Sequence, residues 1–168
     1  MTKFGLYFCT ILIIFLSGCS QSGSTALLAP STLSGSSAKF EGDVSDPGSI
    51  AFFKNNVGDR VLFSIDQSDI DQSGRDILLA QVDWLKLNSD YKIIIEGHAD
   101  ERGTREYNLA LGARRANSAR EFLVSRGIES SRIQTVSFGK ERPVELCSKE
   151  KCYFQNRRAV SVVSNLNF

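Results

Sequence analysis

The chain has 168 residues, with 20 Lys and Arg against 19 Asp and Glu, one His and four Cys, for a formal net charge of +1. That length holds one domain with a proper core plus extensions, not two comfortable domains. The near-neutral balance, with no long Lys/Arg run, argues against nucleic acid as a partner and against a broad cationic face for membranes.

After Met1, Thr2 and Lys3 the stretch from Phe4 to Leu16 is apolar or small. At roughly a dozen residues it suits a signal-peptide core and is too short for a membrane span. Leu16-Ser17-Gly18-Cys19 closes it and matches the lipobox of bacterial lipoproteins, in which the Cys is acylated and becomes the mature N-terminus. Residues 1–18 are therefore expected to be a signal peptide and Cys19 the lipidation site. Ser20, rather than Asp, after the Cys fits sorting to the outer membrane, with the folded part facing the periplasm. From Ser20 to Ser37 the composition shifts towards Ser, Gly, Thr and Ala, with Pro30, three leucines and no charge, and acidic and turn-forming residues follow through Gly48. Such a segment buries too little surface to offset its ordering entropy, so residues 19–48 are expected to be a linker. A flexible chain of that length spans on the order of 30 Å.

The folded domain is expected over 49–168. Ile50–Lys54 and Arg60–Ile65 have strand composition, joined through the turn-rich Asn55–Asp59. Ile77/Leu78, Gln81/Val82 and Trp84/Leu85 give a helical stripe starting near Asp71 or Ser73. Tyr91–Gly97 carries the β-branched run Ile93-Ile94-Ile95 of a buried strand. A second helix is predicted over Arg105–Ser125, with Thr104 or Gly103 near its N-cap and Gly127 as its stop. Strands follow at Arg132–Phe138 and Arg158–Val163, the last after a helical turn around Tyr153–Asn156. Alternating strands and helices imply an α/β (α+β) sandwich of βαβαβ type, with the helices on one mixed sheet.

Of the four cysteines, Cys9 leaves with the signal and Cys19 carries lipid. Cys147 and Cys152 remain as an even pair in an exported chain and are expected to form a structural disulfide. A metal site is not expected, because His98 is the only histidine. No cofactor is called for either.

The second predicted helix puts a charge on its apolar stripe. Leu111, Arg115, Ala119 and Phe122/Leu123 run along one face, so Arg115 points into the core and needs an anion. Asp100, in the loop before this helix, is the nearest candidate by topology. The pair could be a structural salt bridge. It could equally clamp a zwitterion, the carboxylate taking an ammonium and the guanidinium a carboxylate.

The block Glu96-Gly97-His98-Ala99-Asp100-Glu101-Arg102-Gly103-Thr104, then Glu106-Tyr107-Asn108, Leu111-Gly112 and Arg114-Arg115-Ala116-Asn117, closely resembles the OmpA C-terminal-like family. Val136–Pro143 and Gln155-Asn156-Arg157-Arg158-Ala159-Val160 continue the resemblance, which covers Val61 to the C-terminus. The resemblance implies an OmpA-like fold and non-covalent binding of the meso-diaminopimelate of peptidoglycan stem peptides. It assigns ligand contacts to Asp100 and Arg115, places Asp66 at the pocket border, and gives Asn108, Leu111 and Ala116 supporting roles. It further implies TolB and other Tol proteins as partners, with a role in envelope integrity and cell division. This chain departs from the pattern at Ile65 and Ser68, where relatives often have an aromatic residue and a Tyr, and at Ser64, where many have Asp.

The alternative is a periplasmic cell-wall hydrolase using His98 with Asp100 and a Ser. A Ser nucleophile needs a base within reach and an oxyanion site. The chain has no G-x-S-x-G elbow, so the expectation is a binding protein and not an enzyme.

Overall fold

A computed structural model describes residues 42–165 of the chain. The expected signal peptide, Cys19 and the expected linker up to residue 41 lie outside the described residues. Among the described residues no helix is long and apolar enough to cross a membrane.

The described chain is fixed to the body before its first helix. Trp84 Nε1 donates to the Pro47 carbonyl at 2.7 Å and Tyr91 Oη to that of Gly48 at 3.0 Å. Residues 47 and 48, placed in the linker by composition, thus hydrogen-bond to the domain. Ser49 then caps α1 (Ile50–Phe52), its hydroxyl oxygen accepting from the Phe52 N–H at 2.9 Å. The helix widens into a π turn over Phe53–Gly58. The expected strand at Ile50–Lys54 is therefore helical. Its β-prone residues are overruled by the Ser49 cap and by burial of Phe53, whose ring lies 4.8 Å from that of Trp84.

Strand β1 covers only Arg60–Leu62, shorter than the expected Arg60–Ile65. Helix α2 (Gln72–Leu87) starts at an Asp71 cap and buries Leu78, Gln81, Val82, Trp84 and Leu85. Strand β2 (Lys92–His98) leads through the Ala99–Thr104 loop into α3 (Arg105–Ser125). Thr104 caps α3 by accepting from the Tyr107 N–H, and Gly127 follows its end at φ +92°, a conformation that suits glycine. A 3-10 turn (Ser130–Arg132), β3 (Ile133–Gly139), α4 (Glu150–Asn156) and β4 (Arg158–Ser164) complete the domain.

The sheet is four-stranded in the order β1-β4-β2-β3. β2 and β3 are parallel, joined by the α3 crossover, and β4 runs antiparallel to both β1 and β2. The predicted sandwich with helices on one mixed sheet is the observed fold. Ile93 and Ile95 of β2, Val61 of β1, Ile133 of β3 and Ala159 and Val163 of β4 form the core with α2 and α3. Gln81 is a polar member of that interior. It donates to the Gly58 carbonyl and accepts from the Ser161 hydroxyl, each at 2.8 Å, so its burial leaves no orphan.

Candidate functional site

The close approach of α3 to β2 positions the site. Gly97 and Gly112 face each other so tightly that a Cβ on Gly97 would collide with the Gly112 carbonyl. Gly139, at φ +51°, is a third tightly seated glycine, where a Cβ would meet the backbone of Asn108 and Leu109. One turn beyond Gly112, this seating drives Arg115 into the interior at 0% exposure.

Arg115 does not pair with Asp100. Its Nε donates to the Gln67 carbonyl at 2.8 Å, Nη1 to that of His98 at 2.9 Å and Nη2 to that of Ser64 at 3.1 Å. Among the described residues no carboxylate forms a salt bridge with it. A guanidinium has five N–H donors, so two remain after these three bonds. Burial and the nearby Arg157 cation lower its pKa to about 10, partly offset by Asp100 and Asp66, and it stays charged at neutral pH. The anion demanded by the sequence pattern is replaced by backbone carbonyls, which solvate the charge without neutralising it.

Asp100 takes other partners. Its Oδ2 accepts from Arg102 Nη2 at 2.6 Å and from Arg157 Nη1 at 3.1 Å, and its Oδ1 from the Arg102 N–H at 3.1 Å. Burial pushes its carboxyl up, but the bonds from Arg102 and Arg157 outweigh that and hold it below the ordinary carboxylate value. Arg157 is itself 3% exposed and also donates to the Phe63 carbonyl at 3.0 Å.

Asp66 sits in the turn whose two ends, Ser64 and Gln67, are held by Arg115. It is the only non-glycine residue with positive φ among those described, at 60°. Strain of this kind persists only where the surroundings over-determine it. Here they do so through Arg115 and through Tyr107, whose hydroxyl donates to Asp66. Holding that proton pushes the Tyr107 phenol up.

These groups share one small cleft of about 140 Å³, lined by Ile65, Asp66, Asp100, Arg102, Tyr107, Asn108, Leu111, Arg115 and Arg157. Asp100, Arg115 and Asp66 are thus brought together. Asn108 reaches the cleft and ties its rim by donating from Nδ2 to the Arg102 carbonyl at 2.7 Å, and Leu111 forms part of the wall. Ala116 does not line it but is buried beside Gly97. Ser64 contributes its carbonyl to Arg115, and Ser68 lies outside the cleft lining. Cys147 and Cys152 are joined as a disulfide, with Cα atoms 5.7 Å apart.

The sequence pattern does not single out Arg102, Tyr107 and Arg157 as site residues, although each lies in a motif quoted above. Their roles depend on which carboxylate each one meets, and residue spacing does not carry that information. His98 is buried with neither ring nitrogen hydrogen-bonded among the described residues, and its ring stacks on Phe138 at 5.5 Å. Burial, then Arg158 and Arg142, lower its pKa to about 4. It is absent from the cleft lining, and only its carbonyl serves the site.

Comparison with known proteins agrees with this architecture. The OmpA family model matches residues 62–164. A peptidoglycan-associated lipoprotein of Mesorhizobium japonicum is 44% identical over 98% of this chain and 94% of its own length. That of Brucella melitensis is 53% identical over 70% of each chain. The crystal structure of the peptidoglycan-associated lipoprotein from Burkholderia pseudomallei superposes with a TM-score of 0.64 at 36% identity, covering 72% of this chain and 98% of that one. With its mixed sheet, its glycine-seated α3 and its lipobox, the chain belongs to the OmpA family and, within it, to the peptidoglycan-associated lipoproteins.

Proposed function

We propose that the domain binds the meso-diaminopimelate of peptidoglycan stem peptides non-covalently, and that the lipid at Cys19 holds it to the outer membrane from the periplasmic side. The observation that carries this reading is the state of Arg115: a buried cation, solvated by carbonyls and unpaired with any described carboxylate, with donors to spare at a cleft that also contains Asp100. The free end of diaminopimelate offers one carboxylate and one ammonium. The carboxylate completes the hydrogen bonding of Arg115 and supplies its missing negative charge, while the ammonium meets Asp100. Charge-assisted bonds of this type contribute roughly 1.5–3 kcal/mol each. Asp66 and Tyr107 border the same opening. Many copies on one membrane facing a polymeric wall add avidity, so a single site does not need high affinity.

In this reading the chain is part of the Tol–Pal system, with TolB and other Tol proteins as partners in envelope integrity and cell division. The chain is not an enzyme; its relatives are named for association with peptidoglycan.

The test is binding of stem peptides ending in meso-diaminopimelate against otherwise identical peptides ending in lysine, which lacks the carboxylate assigned to Arg115. The diaminopimelate peptide should bind and the lysine peptide should not, and Asp100→Ala should abolish binding while the domain stays folded by circular dichroism. Equal affinity for the two peptides would show the clamp to be misassigned. Soluble fragments released from peptidoglycan by the purified domain would overturn the non-enzymatic reading.

A further inference from the structure

The second carboxylate of the arginine cluster lies on a different element from the clamp. Glu150 opens α4 inside the loop closed by Cys147–Cys152. Its Oε1 accepts from Arg157 Nη2 at 2.6 Å and its Oε2 lies 3.7 Å from Arg102 Nη1. These are the two arginines that also hold Asp100 Oδ2. Each guanidinium is therefore shared between Asp100, which lines the cleft, and Glu150, which does not.

Charge counting gives this sharing a consequence. Asp100 faced by Arg102 and Arg157 alone would sit in a net positive field, and an arriving ammonium would be repelled by the same arginines that orient its acceptor. Glu150 restores neutrality to this group of four, and the remaining cation of the cleft, Arg115, is the one met by the ligand's own carboxylate. The loop that carries Glu150 is built to stay in place. Asn156 Oδ1 accepts from the Val144 and Glu145 N–H groups at 2.8 and 3.1 Å, and Asn156 Nδ2 donates to the Glu145 carbonyl at 2.8 Å. Tyr153 Oη and Ser148 Oγ both donate to Glu101 Oε1, at 2.8 and 2.9 Å, tying α4 to the Asp100 loop.

We propose that Glu150 is a positioning residue of the clamp, balancing Arg102 and Arg157 so that Asp100 can accept the ligand's ammonium, and that the Cys147–Cys152 bond holds it there. This rests on the diaminopimelate reading above. The experiment measures affinity for the meso-diaminopimelate stem peptide in the parent chain, in Glu150→Gln and in the double variant Cys147→Ser/Cys152→Ser. The Asp100 carboxyl is titrated by NMR in each.

Glu150→Gln should weaken binding by roughly two- to five-fold, because the Glu150 carboxylate is 57% exposed and its charge is screened by solvent. It should also move the Asp100 titration to lower pH, because a neighbouring negative charge has been removed, and this is a shift that loss of a purely structural contact would not produce. The double serine variant should change both quantities in the same direction. Unchanged affinity in Glu150→Gln, or weaker binding with an unmoved Asp100 titration, overturns the role of Glu150. Parent-like values in the double serine variant overturn the role of the disulfide. Failure of the parent chain to bind the peptide at all removes the clamp itself, a result distinct from these.

Discussion

Arg115 performs two jobs with one guanidinium. It lines the cleft with two N–H donors left over, and it gathers the carbonyls of Ser64 and Gln67 from the loop after β1 and that of His98 from the end of β2. The sequence pattern shows a cation on an apolar stripe and therefore a need for compensation. It does not show that the compensation comes from backbone, because no side-chain spacing encodes where a carbonyl points. The consequence is testable with Arg115→Lys. An ammonium presents its donors from a single point and cannot span all three carbonyls, so buried acceptors lose their partners. The variant should lose roughly 3 kcal/mol of stability, read by urea denaturation, as well as losing ligand binding. A variant that loses binding at full stability would mean that the carbonyl contacts are incidental.

The elements divide by how local their causes are. Helix α3 is predicted over Arg105–Ser125 and is found there, because Thr104 at its N-cap and Gly127 beyond its end are local signals. The segment at Ile50 is misread because its composition is β-prone, while the Ser49 cap and the contact with Trp84 that decide it are respectively small and distant in sequence. The distance between α3 and β2 is a third case. Gly97 and Gly112 are visible as residues, but their mutual contact belongs to the fold. Gly97→Ala should force the helix off the strand, since the new methyl group would meet the Gly112 carbonyl rather than a flexible side chain. Overpacking against backbone typically costs 1–3 kcal/mol or more. Because Arg115 lies one turn further along α3, binding of diaminopimelate peptide should fall together with the melting temperature. An alanine variant with parent-like affinity would show that the clamp does not depend on this seating.

At the scale of the whole molecule, the proposed function requires two attachments on one chain: lipid at Cys19, outside the described residues, and the clamp in the domain. Each can be removed separately. Cys19→Ala should move the protein from the membrane fraction to the soluble periplasm and leave peptidoglycan pull-down intact. Asp100→Ala should do the reverse. Neither result alone distinguishes a tether from a protein that merely visits both surfaces. The decisive case is the two variants expressed together in cells lacking the parent gene. Between them they supply every lipid anchor and every clamp, but never on the same polypeptide, so a mechanical link cannot form. Envelope integrity, read as leakage of a periplasmic marker and sensitivity to detergent, should remain defective in that strain and recover only with the parent chain. Recovery with the mixed pair would mean that anchoring and wall binding act independently, and the tether reading would have to be given up.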